Sequence, residues 1–159
     1  MSKSTHLNPK GEVHMVDISA KDVTRRMAHA RSFVRLGTKA WAAVEADQLH
    51  KGELWATSRL AGIMAAKKTD SLIPLCHSLA LSSVDVDMAL VEGGIQIDAR
   101  VFTAAQTGVE MEAMTAVSVS ALTVYDMLKS IERGIEIGSI VLVEKRGGAR
   151  GDYLRDSET

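Results

Sequence analysis

A single cysteine, Cys76, stands in the whole 159-residue sequence. No internal disulfide framework can form, which fits a reducing compartment. Aromatic residues are scarce at 4%, whereas Met occurs eight times, so the core has to be aliphatic and filled out by thioethers. No uninterrupted apolar segment approaches the roughly 20 residues that span a bilayer. The start, Met1-Ser2-Lys3-Ser4-Thr5-His6, is polar and lacks the apolar stretch of a signal peptide. Cytoplasmic is therefore the expected location. Charge is nearly balanced at a formal net of −1, so no global basic field exists to hold nucleic acid. Any phosphate binding has to come from local clusters.

What is present is ordinary for a globular chain, with 46% apolar and 25% charged residues. The length suits one domain. We expect a single domain over 1–159, its ordered core at about 11–146, between a polar N-terminal segment and a Gly- and charge-rich C-terminal tail. Val13–Ile18 and Ser32–Leu36 read as short strands, and Lys39–Ala46 as a short helix. A second helix follows Lys51-Gly52, with Ala56, Leu60, Ile63, Met64 and Lys67 at helical spacing, and runs to about Lys68. Ile73-Pro74 then enforces an extended turn.

Val84, Val86, Met88 and Leu90 alternate with polar partners, as do Ile95, Ile97, Ala99 and Val101 beyond Gly93-Gly94. A Gly-Gly turn pairs Leu90 with Ile97 and sets Asp87 opposite Arg100. From Glu110 to Arg133 neither Gly nor Pro occurs. Met114, Val117, Ala121, Val124, Leu128 and Ile131 form a helical stripe that Gly134 is expected to end. A last strand follows from Ile135 to Val143. Strands with one apolar face, backed by amphipathic helices, give an α+β sandwich.

Several residues offer chemistry. Asp126 and Lys129 are neighbours on the long helix. By spacing alone they read as a surface ion pair, unless Tyr125 and Leu128 shield them and desolvation brings the lysine toward proton transfer. Cys76-His77 ends an apolar run. Adjacent residues rarely point at one ion, so a hydrogen-bonded structural His, a phosphate contact or an acid are the readings there. His50-Lys51-Gly52 precedes a helix start, where free N–H groups attract anions. Glu110 and Glu112 suit the positive end of the long helix, and a carboxylate can also accept the paired N–H groups of guanine.

Taken together these segments resemble the cyclic pyranopterin monophosphate synthase family, the C protein of molybdenum-cofactor biosynthesis. The resemblance rests on His50-Lys51-Gly52, Ala61-Gly62-Ile63, Leu72-Ile73-Pro74-Leu75-Cys76-His77, Thr107-Gly108-Val109-Glu110-Met111-Glu112-Ala113 and Leu122-Thr123-Val124-Tyr125-Asp126-Met127, in order along nearly the whole chain. It implies a ferredoxin-like α+β fold and a homohexamer of dimers with active sites between subunits. It also implies a guanosine-triphosphate-derived substrate, 3′,8-cyclo-7,8-dihydroguanosine triphosphate, rearranged with loss of pyrophosphate. By that resemblance Asp126, Lys129 and Lys51 are catalytic. Leu75, Cys76, His77, Met111 and Glu112 bind substrate, and Arg26, Lys67 and Lys145 hold its triphosphate. No metal site, redox cofactor, nucleic acid or membrane is implied, and Mg²⁺ accompanying the triphosphate is left open. Two departures stand out: Ser78 replaces a usual Pro, and Ala149 replaces a common Lys, with Arg146 or Arg150 as the candidate substitute. A catalytically idle scaffold and a metal-dependent hydrolase using His77 and Cys76 are the competing readings.

Overall fold

The run free of Gly and Pro yields the longest helix among the described residues, and the sheet and the other helices are arranged around it. The computed structural model describes residues 7–46 and 51–156, the side chains of residues 51 and 52 excepted. Its elements follow in the order β1 (Thr24–Arg35), α1 (Thr38–Glu45), α2 (Lys51–Ala66), α3 (Thr69–Leu72), β2 (Leu81–Val91), β3 (Gly94–Ala105), α4 (Glu110–Leu128), β4 (Glu136–Arg146) and β5 (Tyr153–Leu154). The strands form one antiparallel sheet, ordered β2-β3-β1-β4-β5. Helix α4 packs on β1, β3 and β4, and α2 lies against α4 and β2. This is the expected ferredoxin-like α+β sandwich of an antiparallel sheet backed by helices.

Period-two alternation in the strands meets the helical stripe of α4 in the core. Ala28, Ala30, Val34, Ile95, Ile97, Ala99 and Val101 face Ala113, Ala116, Val117, Ala121, Val124 and Leu128, all fully buried. Met88, Met114 and Met127 pack at its margin, as the scarcity of aromatics requires. Burying each Val, Ile or Leu contributes about 1.5–3 kcal/mol.

The buried side of α2 differs from the stripe read in its sequence. Leu60 and Met64 are exposed, and Leu54, Ser58, Gly62, Ala65 and Ala66 face inward instead. The reason is a close helix crossing. A Cβ at Gly62 would lie 2.2 Å from Ser120 Oγ and 2.9 Å from the Ala116 carbonyl. Only small residues allow that approach, so Leu60 and Met64 are left outside, while Leu54 is buried and Ile63 of the expected stripe still packs against the core. Gly62→Val is expected to destabilise the fold by about 1–3 kcal/mol or more, read as a lowered midpoint in urea at unchanged slope.

The hairpin register is two residues from the expected one. Leu90 pairs with Ile95 and Val91 with Gly94, so the loop is Glu92-Gly93, with Gly93 at φ +83°. Asp85 therefore stands opposite Arg100, which still reaches Asp87 diagonally at 3.4 Å. The positive φ selects the loop, because a two-residue hairpin turn needs it there. A shift of two leaves every side chain on its face.

Other boundaries also move. Val13–Ile18 is no strand; apart from an isolated Leu7–Val13 bridge, this arm crosses the molecule in irregular form. Both edges of β1 are taken by β3 and β4, and the arm's carbonyls are satisfied by side chains. β1 begins at Thr24 because Arg25, His29 and Arg31 lie on the sheet face away from the helices, hiding its alternation. Helix α4 ends at Leu128, well before Gly134. Ile131 and Glu132 both donate to the Leu128 carbonyl in a closing turn. The chain needs that turn to bring Glu136 beside Arg35 at the start of β4.

On the sheet face away from the helices, Asp98 is the hub of a buried polar cluster. His29 Nε2 lies 2.6 Å from it, Arg31 Nε donates at 2.9 Å and Gln96 Nε2 at 2.8 Å. Burial pushes the Asp98 carboxyl up, and the three hydrogen bonds outweigh it, leaving the pKa below the usual value.

Candidate active site

Three segments converge at the start of α4. The extended Ile73 before Pro74 ends α3 and turns the chain so that Leu75, Cys76 and His77 face Met111 and Glu112. The third segment is the N-terminal arm. His77 Nε2 donates to the Val16 carbonyl at 2.9 Å, and Gln106 Nε2 donates to the Ser19 and Lys21 carbonyls. A carbonyl only accepts, so neutral His77 carries its proton on Nε2 and keeps Nδ1 as the basic nitrogen.

These segments enclose a cleft of about 920 Å³, within the range of small-molecule sites. Glu112 is buried, and Cys76, His77 and Met111 line the cleft with it. Burial, reinforced by the nearby charges of Glu110 and Asp70, raises the Glu112 carboxyl to about 7. Burial and the same acidic neighbourhood raise the Cys76 thiol, which makes it a poor nucleophile. Arg26, Lys145, Lys21 and Arg150 line the same cleft, as do Glu110 and Asp22. Arg26 is partly committed: its Nε donates to the Ala105 carbonyl and its Nη2 to that of Gln106. Lys145 Nζ lies 3.6 Å from Glu110 Oε1.

The cleft thus brings together Leu75, Cys76, His77, Met111, Glu112, Arg26 and Lys145 from the sequence-derived set. Lys67, exposed just past α2, does not line it. Asp126 and Lys129 lie toward the other end of α4, exposed and joined at 2.6 Å. Leu128 is buried on the opposite side and shields neither. The Asp126 hydrogen bond and charge raise the Lys129 pKa rather than lowering it. Lys51 opens α2; its side chain, like His50, falls outside the described residues.

Sequence reasoning missed Lys21, which sits in an irregular stretch where only its nearness to Arg26 could have marked it. Of the two arginines weighed as substitutes near Ala149, Arg150 lines the cleft, whereas Arg146 pairs with Glu144. Among the described residues no three His, Cys, Asp or Glu side chains cluster as a metal site requires. No helix among them is long and apolar enough to cross a membrane.

Fold and cleft together define an α+β protein with a cleft of small-molecule size, lined by a buried carboxyl and by several cations. The chain belongs to the MoaC family, whose profile matches residues 15–148. It is 51% identical over 158 residues to a cyclic pyranopterin monophosphate synthase of Roseiflexus sp. (strain RS-1), covering 98% of this chain and 100% of that one. It is 50% identical over 153 residues to the synthase of the same name from Parvibaculum lavamentivorans, covering 95% and 96%. A third of that name, from Thermomicrobium roseum, is 48% identical over 160 residues, covering 99% and 96%.

Proposed function

We propose that this chain is a cyclic pyranopterin monophosphate synthase of molybdenum-cofactor biosynthesis. It converts 3′,8-cyclo-7,8-dihydroguanosine 5′-triphosphate to cyclic pyranopterin monophosphate and pyrophosphate. The observation that carries the reading is a cleft lined both by a buried carboxyl and by cations. Glu112 offers a carboxyl to the donor edge of a guanine-derived base, and Arg26 and Lys145 offer cationic donors to phosphate.

Ring opening and pterin closure move protons, the work we assign to Lys51, Asp126 and Lys129. Glu112 and Asp126 are roughly 20 Å apart along α4 at 1.5 Å per residue. One copy of the helix cannot serve one pocket with both ends, so a second chain supplies the Asp126-Lys129 pair. The exposed Leu60, Met64 and Leu122 support an assembly that covers them. A homohexamer of dimers with shared sites meets both needs.

The test supplies the cyclic guanosine triphosphate intermediate to the intact protein and follows pyrophosphate and pterin together. Equal yields of both are expected. Pyrophosphate without pterin, or neither product, overturns the proposal.

A further inference from the structure

Resting on the reading of this cleft as a triphosphate site, we infer that Glu110 is an internal stand-in for a phosphate group. Its carboxylate holds Lys145 in the empty protein, and a polyphosphate has to displace it in order to bind.

The geometry supports an exchange rather than a fixed structural pair. Glu110 Oε1 and Lys145 Nζ are 3.6 Å apart, both line the cleft, and both side chains are largely withdrawn from solvent, at 32% and 21% exposure. The carboxylate is folded back over Gly108. A Cβ at Gly108 would lie 1.9 Å from Glu110 Oε2 and 2.6 Å from its Cδ. The seat therefore exists because residue 108 has no side chain. Glu110 is the first residue of α4, where its side chain can leave that seat without disturbing the buried face of the helix.

Lys145 of β4 pairs with Ala28 of β1, two residues from Arg26, so both cations stand on one sheet face and line the cleft. Two of the Arg26 donors are already bound to carbonyls, so Lys145 is the cation whose partner can be exchanged. A single phosphate that replaces Glu110 trades one anion for another and gains little. A chain of two or three phosphates brings more charge, reaching Arg26 and Arg150 as well, and the exchange becomes favourable. The pair thus selects polyphosphate over monophosphate. It also offers a return route, since Glu110 takes back Lys145 as pyrophosphate departs. The affinity cost in the wild type is the fraction of time for which Lys145 is occupied.

The experiment is titration calorimetry of the full-length protein with inorganic tripolyphosphate and, separately, orthophosphate. Wild type, Glu110→Gln and Lys145→Gln are compared. Glu110→Gln is expected to bind tripolyphosphate about tenfold tighter, as it would if Lys145 were free about a tenth of the time in the wild type, and to gain orthophosphate binding. Lys145→Gln is expected to bind tripolyphosphate at least about tenfold more weakly. Unchanged or weaker binding by Glu110→Gln, with Lys145→Gln still impaired, overturns the stand-in while leaving the phosphate site intact. Equal binding by all three proteins, or none, removes the phosphate site and the stand-in together.

Discussion

The protein carrying Lys129→Ala is expected to fold and assemble like the wild type, while turnover of the cyclic guanosine triphosphate intermediate falls by about 10²–10⁴-fold. Within one chain Lys129 contributes little, because its bond to Asp126 lies in solvent at the end of α4. Its removal leaves no cavity and no orphaned buried group. A large loss of rate without a loss of fold can then come only from the chemistry. Asp126 raises the Lys129 pKa, so the free protein presents a cation at neutral pH, suited to giving a proton or steadying a developing negative charge. A role as base requires the second chain to desolvate the pair, and the pH profile of turnover distinguishes the two. Asp126→Asn should lose activity in parallel. Pyrophosphate and pterin release, with sedimentation to check assembly, provide the measurement. A fully active Lys129→Ala protein sinks the assignment.

Glu112→Gln is expected to have opposite effects on stability and binding. The Glu112 carboxyl is raised by burial, then by Glu110 and Asp70, from an ordinary 4.5 to about 7. A raised carboxyl stabilises the fold in its protonated form. That contribution is complete below about pH 4.5, the value in the unfolded chain, and is lost as pH rises through 7. At pH 8 most of it is gone, a cost on the order of 1–3 kcal/mol at about 1.36 kcal/mol per pKa unit, reduced by solvent screening of the partly open site. The amide of Gln cannot ionise. Glu112→Gln should therefore match the wild type near pH 4 and be the more stable protein at pH 8, in urea titrations without ligand. Its nucleotide affinity should fall, because an amide offers one acceptor where the carboxylate offers two. Equal stability of the two proteins at pH 8 would show that Glu112 is not held near neutrality. Unchanged nucleotide affinity would remove it from base recognition.

How far the sequence could be read depended on whether local pattern or distant packing decided each feature. The Gly- and Pro-free run located α4 because Val117, Ala121, Val124 and Leu128 keep one buried face. Alternation located β2 and β3 because one face of each meets apolar neighbours. β1 was legible only at its end, since its buried side includes the small residues Ala28 and Ala30 and the other carries charge. The outward turn of Leu60 and Met64 could not be read, because the α2–α4 crossing depends on Gly62 meeting Ser120. The helix end followed the position of β4, not Gly134.

The site divides in the same way. Part of it was legible as contiguous motifs, Leu75-Cys76-His77 and Met111-Glu112, now seen to line one cleft. Of its cations, Arg26 and Lys145 were named through the resemblance and Arg150 was weighed, whereas Lys21 was missed; the pairing of β1 with β4 is what brings the stretch at 21–26 beside the stretch at 145–150. The arm was misread as a strand because Val13, Met15 and Ile18 are apolar, yet it lies over the cleft with Val13 and Met15 exposed.

The Glu92-Gly93 loop gives the β2–β3 hairpin a rule of parity. β2 is an edge strand, and the loop stands apart from the residues that line the cleft, so its length is free to vary. An insertion held within the loop leaves the register alone, and one taken up by the strand is safe only in even steps. Two inserted residues slide β2 along β3 and return each side chain to its own side. One inserted residue, taken up as a slip of the strand, would turn Asp85 and Asp87 inward and Val84 and Val86 out to water. Single insertions within β2 itself should therefore survive only where a bulge absorbs the extra residue.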